Sequence, residues 1–236
     1  ERHVRAYILC LLGSILFPDS SGDTMPLMFL PMLTDLYDVD TYIWGSGTLA
    51  WLYRSLCKAC HRGVSQIGDN LLLLQYPLFD DNINPSLGAC WVPKRAILDL
   101  KNLGTLAQYR GKFDKLTEEQ VIWTPYPNVH LDLAWYQCRQ DSYIWRSRVR
   151  LICFAYVEWH YPDRVVRQFG LGQHIPLPCN TDLTLHTYDG RDHPNTAWID
   201  IHRQYITQWN KRHSCVVMVY RPTTNYMQWY MLITRL

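Results

Sequence analysis

Residues 142–173, SYIWRSRVRLICFAYVEWHYPDRVVRQFGLGQ, restrict this chain more than any other stretch. A body this apolar has to be buried. Arginines crowd its front, a Glu158-Trp159-His160 step comes next, and Pro162 then forces a change of direction. Two periodicities compete within it. Trp145, Val149, Ile152 and Tyr156 fall on one stripe at helical spacing, whereas Arg148-Val149-Arg150-Leu151 alternates as a strand does. Length favours the helix, so a central helix is expected, capped by Asp141 or Ser142. Pro162 keeps Tyr161 out of the α region and suits the first position of a second helix. Asp163 then enters that helix's positive first turn, Val165, Val166 and Phe169 give it an apolar side, and Gly170 ends it.

Elsewhere the pattern is mostly helical. Val4, Ile8, Leu11, Leu12 and Ile15 predict a helix over 2–17, with a turn at 18–23. Pro26 opens a short helix limited by Pro31. The strongest helix of the first half begins around Trp44-Gly45-Ser46, with Ser46 as N-cap and Leu49, Leu52, Tyr53, Leu56 and Ala59 on its face. Further helical segments are expected at 69–76 and 95–116, then a capping box at 117–120 that opens either a brief helix before Pro125 or, instead of it, a short strand at 121–123. Residues 171–194 read as a loop-rich crossover. Asn195-Thr196 cap an amphipathic helix to about residue 213, faced by Trp198, Ile201, His202, Tyr205, Ile206 and Trp209. Thr224-Asn225 begin a last helix. The fold class expected is therefore mainly α, a multi-helical single globular domain over 1–236 with a few short β-strands. Residues 1–5 enter directly into a periodic pattern, so the 236 residues are expected to be a fragment of a longer chain.

Charge excludes little and directs little. Lys and Arg total 23 against 21 Asp and Glu, no electrostatic signature of a nucleic-acid binder. No run of about 18 apolar residues is free of charge or proline, so no membrane span is expected. The 10 Trp and 16 Tyr can serve a core or an interface. The eight cysteines sit mostly in apolar or helical stretches and are expected as thiols in a reducing compartment.

Several residue groups have the types that chemistry needs. Cys57-Lys58-Ala59-Cys60-His61 matches a haem-attachment pattern, but no export signal accompanies it. Zinc at Cys57, Cys60 and His61 would need a fourth ligand from Cys179, His186 or His193. Asp35, Asp38 and Asp40 lack the glycine and distal glutamate of a calcium loop. No cofactor and no metal site is expected. Glu158, His160 and Asp163 could support acid–base work, yet residues two apart share no helix face. They are expected as a structural polar corner with Arg164 or Arg167 pairing the acids, and no catalytic residue is assigned. Trp145, Arg146, Arg148, Arg150, Trp159, Arg164 and Arg167 compose a candidate basic–aromatic interface for protein, with nucleic acid as the alternative ligand.

Five ordered phrases, LLGSILFPDSSG, WGSGTLAWLYRSLC, VIWTPY, LICFAYVEWHYPDRVVRQFG and YMQWY, resemble the plant mobile domain family across nearly the whole chain. A tryptophan-rich phrase of that family is replaced here by Gln75-Tyr76-Pro77. The resemblance implies a non-catalytic nuclear interaction domain of the Maintenance of Meristems-like kind, tied to transposon silencing, gene-expression control and meristem maintenance. It implies a serine/threonine phosphatase 7-like protein or another plant mobile domain protein as partner. The alternative it leaves is a transposon-encoded nucleic-acid-binding or DNA-processing domain.

Overall fold

The computed structural model describes residues 1–18, 26–59, 140–178, 182, 184–185, 196–218 and 224–234. The segments expected at 69–76, 95–116, 117–120 and 121–123 lie outside the described residues. Two compact units emerge. One comprises Glu1–Leu73, Ser147–Tyr161 and Leu177–Val217; the other comprises Leu74–Arg146, Pro162–Pro176 and Met218–Leu236. The chain passes from one to the other several times, so no linker marks their boundary in the sequence. Among the described residues the fold is mainly helical, with one small two-stranded sheet.

In the first unit, helix α1 (Arg2–Leu11) runs into a π turn over Leu12–Leu16. The Ser14 hydroxyl bonds back to the Cys10 carbonyl at 2.5 Å, and the Phe17 amide reaches the Leu12 carbonyl at 2.8 Å. The extra residue in that turn rotates the helix end about its axis. Leu16 and Phe17 thereby face the core, while Ile15 and Val4, both expected on the buried stripe, are exposed. Pro18 then stops the helix, and Phe17 leaves the α region at φ −131°. A 3-10 segment, Leu27–Leu33, accommodates Pro31 and buries Phe29 and Leu33.

Helix α2 (Trp44–Ala59) is the long element of this unit. It starts two residues before the expected N-cap. The Trp44 indole N–H donates to the Val39 carbonyl at 2.8 Å, and the Ile43 carbonyl takes the Gly47 amide at 3.2 Å. Ser46 therefore lies inside the first turn rather than capping it. Gly47 is where α2 approaches its neighbours closely: a Cβ there would meet the Phe17 ring at 3.4 Å and the Cys153 sulfur at 3.8 Å.

The expected central helix is not formed. Residues Asp141–Arg146 make a 3-10 turn in the second unit, and the first unit continues as a hairpin. Strand β1 (Arg150–Cys153) pairs antiparallel with β2 (Tyr156–Trp159), with Arg150 opposite Trp159 and Cys153 opposite Tyr156. Val149, Leu151 and Cys153 point into the core, so the strand alternation prevails over the helical stripe. The turn is Phe154-Ala155, and Phe154 adopts φ 50°. Nothing in those two residue types announces a reversal. The hairpin packs on α2, and Leu12, Phe17, Phe29, Leu33, Ala50, Val149, Leu151 and Cys153 make one buried cluster. The predicted helix after Asn195 appears as α3 (Trp198–Ile201) and α4 (Arg203–Asn210), separated at His202. A 3-10 turn comes next at Arg212–Cys215, and Val216 bridges to Ser147.

In the second unit, Pro162–Arg164 and Val166–Phe169 are 3-10 turns, and Gly170 ends them in the left-handed region at φ 71°. That matches the expected proline start and glycine stop. The unit also contains α5 (Tyr226–Thr234), whose Trp229 amide bonds to the Asn225 carbonyl at 3.0 Å.

Candidate functional site

The polar corner is divided between the two units. In the first, Glu158 of β2 meets Arg54 of α2, with Oε1 and Nε 2.5 Å apart and both side chains buried. The Arg54 Nη2 also donates to the Leu185 carbonyl at 2.9 Å, and its guanidinium lies 5.3 Å from the Tyr156 ring centre. Arg54 is 2% exposed, a buried cation on α2. Sequence reasoning missed it because an arginine on a helix face reads as solvated. The sequence pattern pairs the acids with Arg164 or Arg167, whereas Glu158 meets Arg54. His160 is likewise tied to α2: its Nδ1 is 3.2 Å from the Tyr53 hydroxyl, and the two rings stack at 6.3 Å. Burial raises the Tyr53 hydroxyl above its ordinary range.

Asp163 belongs to the second unit and is buried there. Its carbonyl accepts the Gln173 side-chain amide at 2.8 Å, and that amide also reaches the His174 carbonyl at 3.0 Å. The Asp163 Oδ1 is buried with no hydrogen-bond partner among the described residues.

The basic–aromatic candidates divide in the same way. Arg150 is enclosed in the first unit, 4.5 Å from the Trp159 ring centre and 4.9 Å from that of Tyr205, with Asp182 4.0 Å away. Asp182 is held below the usual carboxylate range by the Thr184 hydroxyl first, opposed by desolvation, and helped by nearby amides and Arg150. Arg148 lies over Tyr161 at 5.1 Å. Trp145, Arg146, Arg164 and Arg167 belong to the second unit, where the turns carrying Arg146 and Arg164 touch. Trp145 is 37% exposed, Arg164 is exposed and Arg167 half-buried. Tyr226 of α5 feels both Arg164 and Arg167, although burial, with Tyr230 beside it, pushes its hydroxyl up overall.

Sequence reasoning did not anticipate a half-open cleft of about 680 Å³ in the first unit. Phe17, Phe29, Trp44, Phe154, Trp198 and Trp209 form its wall. Its size is that of a ligand pocket. The Phe154 carbonyl accepts the Nε2–H of His202 at 2.7 Å, and the His202 ring stacks on Trp198 at 5.5 Å. Burial holds the His202 imidazole below its ordinary pKa, the Phe154 bond opposing it. Cys153, also in the wall, has its thiol pushed up to about 12 by burial. It is a neutral thiol at physiological pH and no nucleophile.

Among the described residues, no three His, Cys, Asp or Glu side chains gather as a metal site. Cys60, His61, Cys179, His186 and His193 lie outside them. No helix of the described residues is long and apolar enough to cross a membrane.

The profile of the plant mobile domain family matches residues 1–231. The Arabidopsis thaliana protein named serine/threonine-protein phosphatase 7 long form homolog is 39% identical over 99% of the chain, a match covering 19% of that protein. Protein MAINTENANCE OF MERISTEMS from the same plant is 31% identical over 99% of the chain and 49% of its own length. Protein MAIN-LIKE 2, also from Arabidopsis thaliana, is 31% identical over the full chain and 37% of its own length. The chain therefore spans less than half of each of these relatives. No solved structure matches it.

Proposed function

This chain belongs to the plant mobile domain family, and from that premise we propose that it is a non-catalytic nuclear protein-interaction domain acting in transposon silencing and gene-expression control. Its partner in this reading is a serine/threonine phosphatase 7-like protein or another plant mobile domain protein. The similarity to a protein named as a phosphatase 7 homolog, and to one named for meristem maintenance, supports the association. The observation that carries it is the use made of the ionisable residues. Glu158 and His160 are committed to Arg54 and Tyr53 of α2, as a scaffold requires. Exposed Trp145, with Arg146, Arg164 and Arg167, supplies residue types favoured at protein interfaces.

The test is co-purification of the 236-residue chain with the phosphatase 7-like protein, beside a Trp145→Ala, Arg164→Glu, Arg167→Glu variant. Association that the variant abolishes, with loss of silencing of a transposon reporter, is the expected outcome. An intact variant complex would remove this surface from the interface, and no complex at all would remove the reading. The nucleic-acid alternative draws on the same arginines. It requires DNA binding that weakens steeply with salt.

A further inference from the structure

We propose that the aromatic cleft of the first unit is a docking groove for a peptide segment that carries apolar anchors flanked by lysine or arginine. The inference rests on the reading of the chain as an interaction domain, but uses a different surface. Two apolar side chains of the lining, Ile43 and Ile199, are still 52% and 74% exposed. An extended or helical segment lying along the cleft would cover that exposed apolar surface. Spaced apolar anchors entering an aromatic-walled groove are the ordinary means by which such segments bind.

Charge selects the kind of segment. Asp35, Asp38 and Asp40 are exposed on the chain leading to Tyr42 and Ile43, and the 3-10 turn Val39–Thr41 is held against Trp44 through the indole bond to Val39. Asp38 and Asp40 thus flank Val39, the residue that anchors the cleft's Trp44. No ion pair neutralises Asp38 or Asp40 among the described residues, and three arginines on elements that line or adjoin the cleft are engaged elsewhere. Arg203 is bonded to Asp200 at 2.6 Å. Arg212 lies over Trp209 at 5.3 Å. Arg5 donates to the Leu33 and Thr34 carbonyls at 3.0 Å each. A basic flank on the incoming segment would meet uncompensated negative charge there.

The wall is also held open in advance. Phe154 takes a left-handed backbone that costs a non-glycine residue energy, and it is kept there by the His202 bond and by the Phe29 ring 5.5 Å away. A groove so braced needs little ordering when a ligand enters.

The experiment is fluorescence anisotropy on the whole 236-residue chain. The probe is a labelled synthetic peptide with Leu and Trp one helical turn apart between lysines, and its control has glutamates in place of the lysines. Saturable binding is expected for the lysine peptide, with the glutamate peptide weaker by about tenfold or more. Ile43→Glu and Ile199→Glu each weaken the lysine peptide by about tenfold; both positions are exposed, so circular dichroism of the variants is expected to match the parent. An Asp38→Lys, Asp40→Lys variant narrows the gap between the two peptides. Failure of the lysine peptide to bind, equal binding of both peptides, or indifference to the isoleucine variants would overturn the proposal. So would saturable uptake of a small apolar dye without peptide binding. A phosphatase-like partner that still co-purifies with an Ile43→Glu, Ile199→Glu chain removes the cleft from that complex and leaves the interaction-domain reading standing. A chain that binds the peptide but no such partner does the reverse.

Discussion

At the residue scale, Arg54 decides more than its position on a helix face suggests. It joins Glu158, the Leu185 carbonyl and the Tyr156 ring from a fully buried site. Removing one member of such a pair strands the other charge, so Glu158→Gln should cost about 3–5 kcal/mol in urea unfolding. The Arg54→Met, Glu158→Leu double variant should lose distinctly less, because neither charge is then left buried. If single and double variants were equally damaged, packing and not charge would govern the site. His202 gives a second expectation, in pH. Its folded pKa lies below the ordinary value of about 6.5, so the neutral ring is favoured by folding. The stability it contributes is present above that unfolded value and is lost as pH falls through the folded one. The melting temperature should therefore drop on acidification in this window, and a His202→Gln chain should show a smaller drop. His202 was legible on the inner face of its helix, whereas Arg54 was not, since burial of a charged side chain depends on partners far along the chain.

At the element scale, the sequence shows α2 and conceals the hairpin for physical reasons. Helix α2 has apolar residues repeating through several turns, a signal long enough to survive its unexpected start at Trp44. The hairpin has strands of four residues and a turn of Phe154-Ala155, where glycine or asparagine would have declared the reversal. Its competing helical stripe through Trp145, Val149, Ile152 and Tyr156 is a coincidence of spacing. The π turn after α1 is hidden in the same way, because one additional residue changes a face without changing composition. The Phe154 backbone can be tested directly. Phe154→Gly and Phe154→Ala lose the same ring contact with Phe29, but only glycine is at ease at φ 50°. Glycine should be the more stable of the two by about 1 kcal/mol in thermal unfolding. Equal stabilities would mean that the turn relaxes once the ring is gone.

Across the whole molecule, the core of the first unit is assembled from distant parts of the chain. Leu12, Phe17, Phe29 and Ala50 come from its beginning, and Val149, Leu151 and Cys153 from well past its middle. A fragment ending at residue 73 keeps α1 and α2 but loses the hairpin they pack on. It should show no cooperative thermal transition by circular dichroism; a sharp one would mean that α1 and α2 form a self-sufficient core. The same long-range assembly predicts slow folding relative to a bundle of local helices. Class and family were legible because composition and ordered phrases are properties of the whole chain. The cleft was not, because its wall draws on residues from 17 to 209 that only the fold brings together.

Cys153 turns this burial into a clock. Its sulfur touches the spot where α2 comes closest to the hairpin, and its thiol is pushed up to about 12. An alkylating reagent meets it slowly in the closed fold, since Cys153 is 6% exposed and burial keeps the reactive thiolate scarce. Cys10, exposed on α1, records the reagent's own speed in the same tube. Mass spectrometry of the two peptides should find Cys10 modified promptly and Cys153 far more slowly, faster as urea opens the core. Modification of both at one rate would mean that the core breathes faster than the chemistry. The chain thus carries its own reporter of how often its centre is exposed, with no label added.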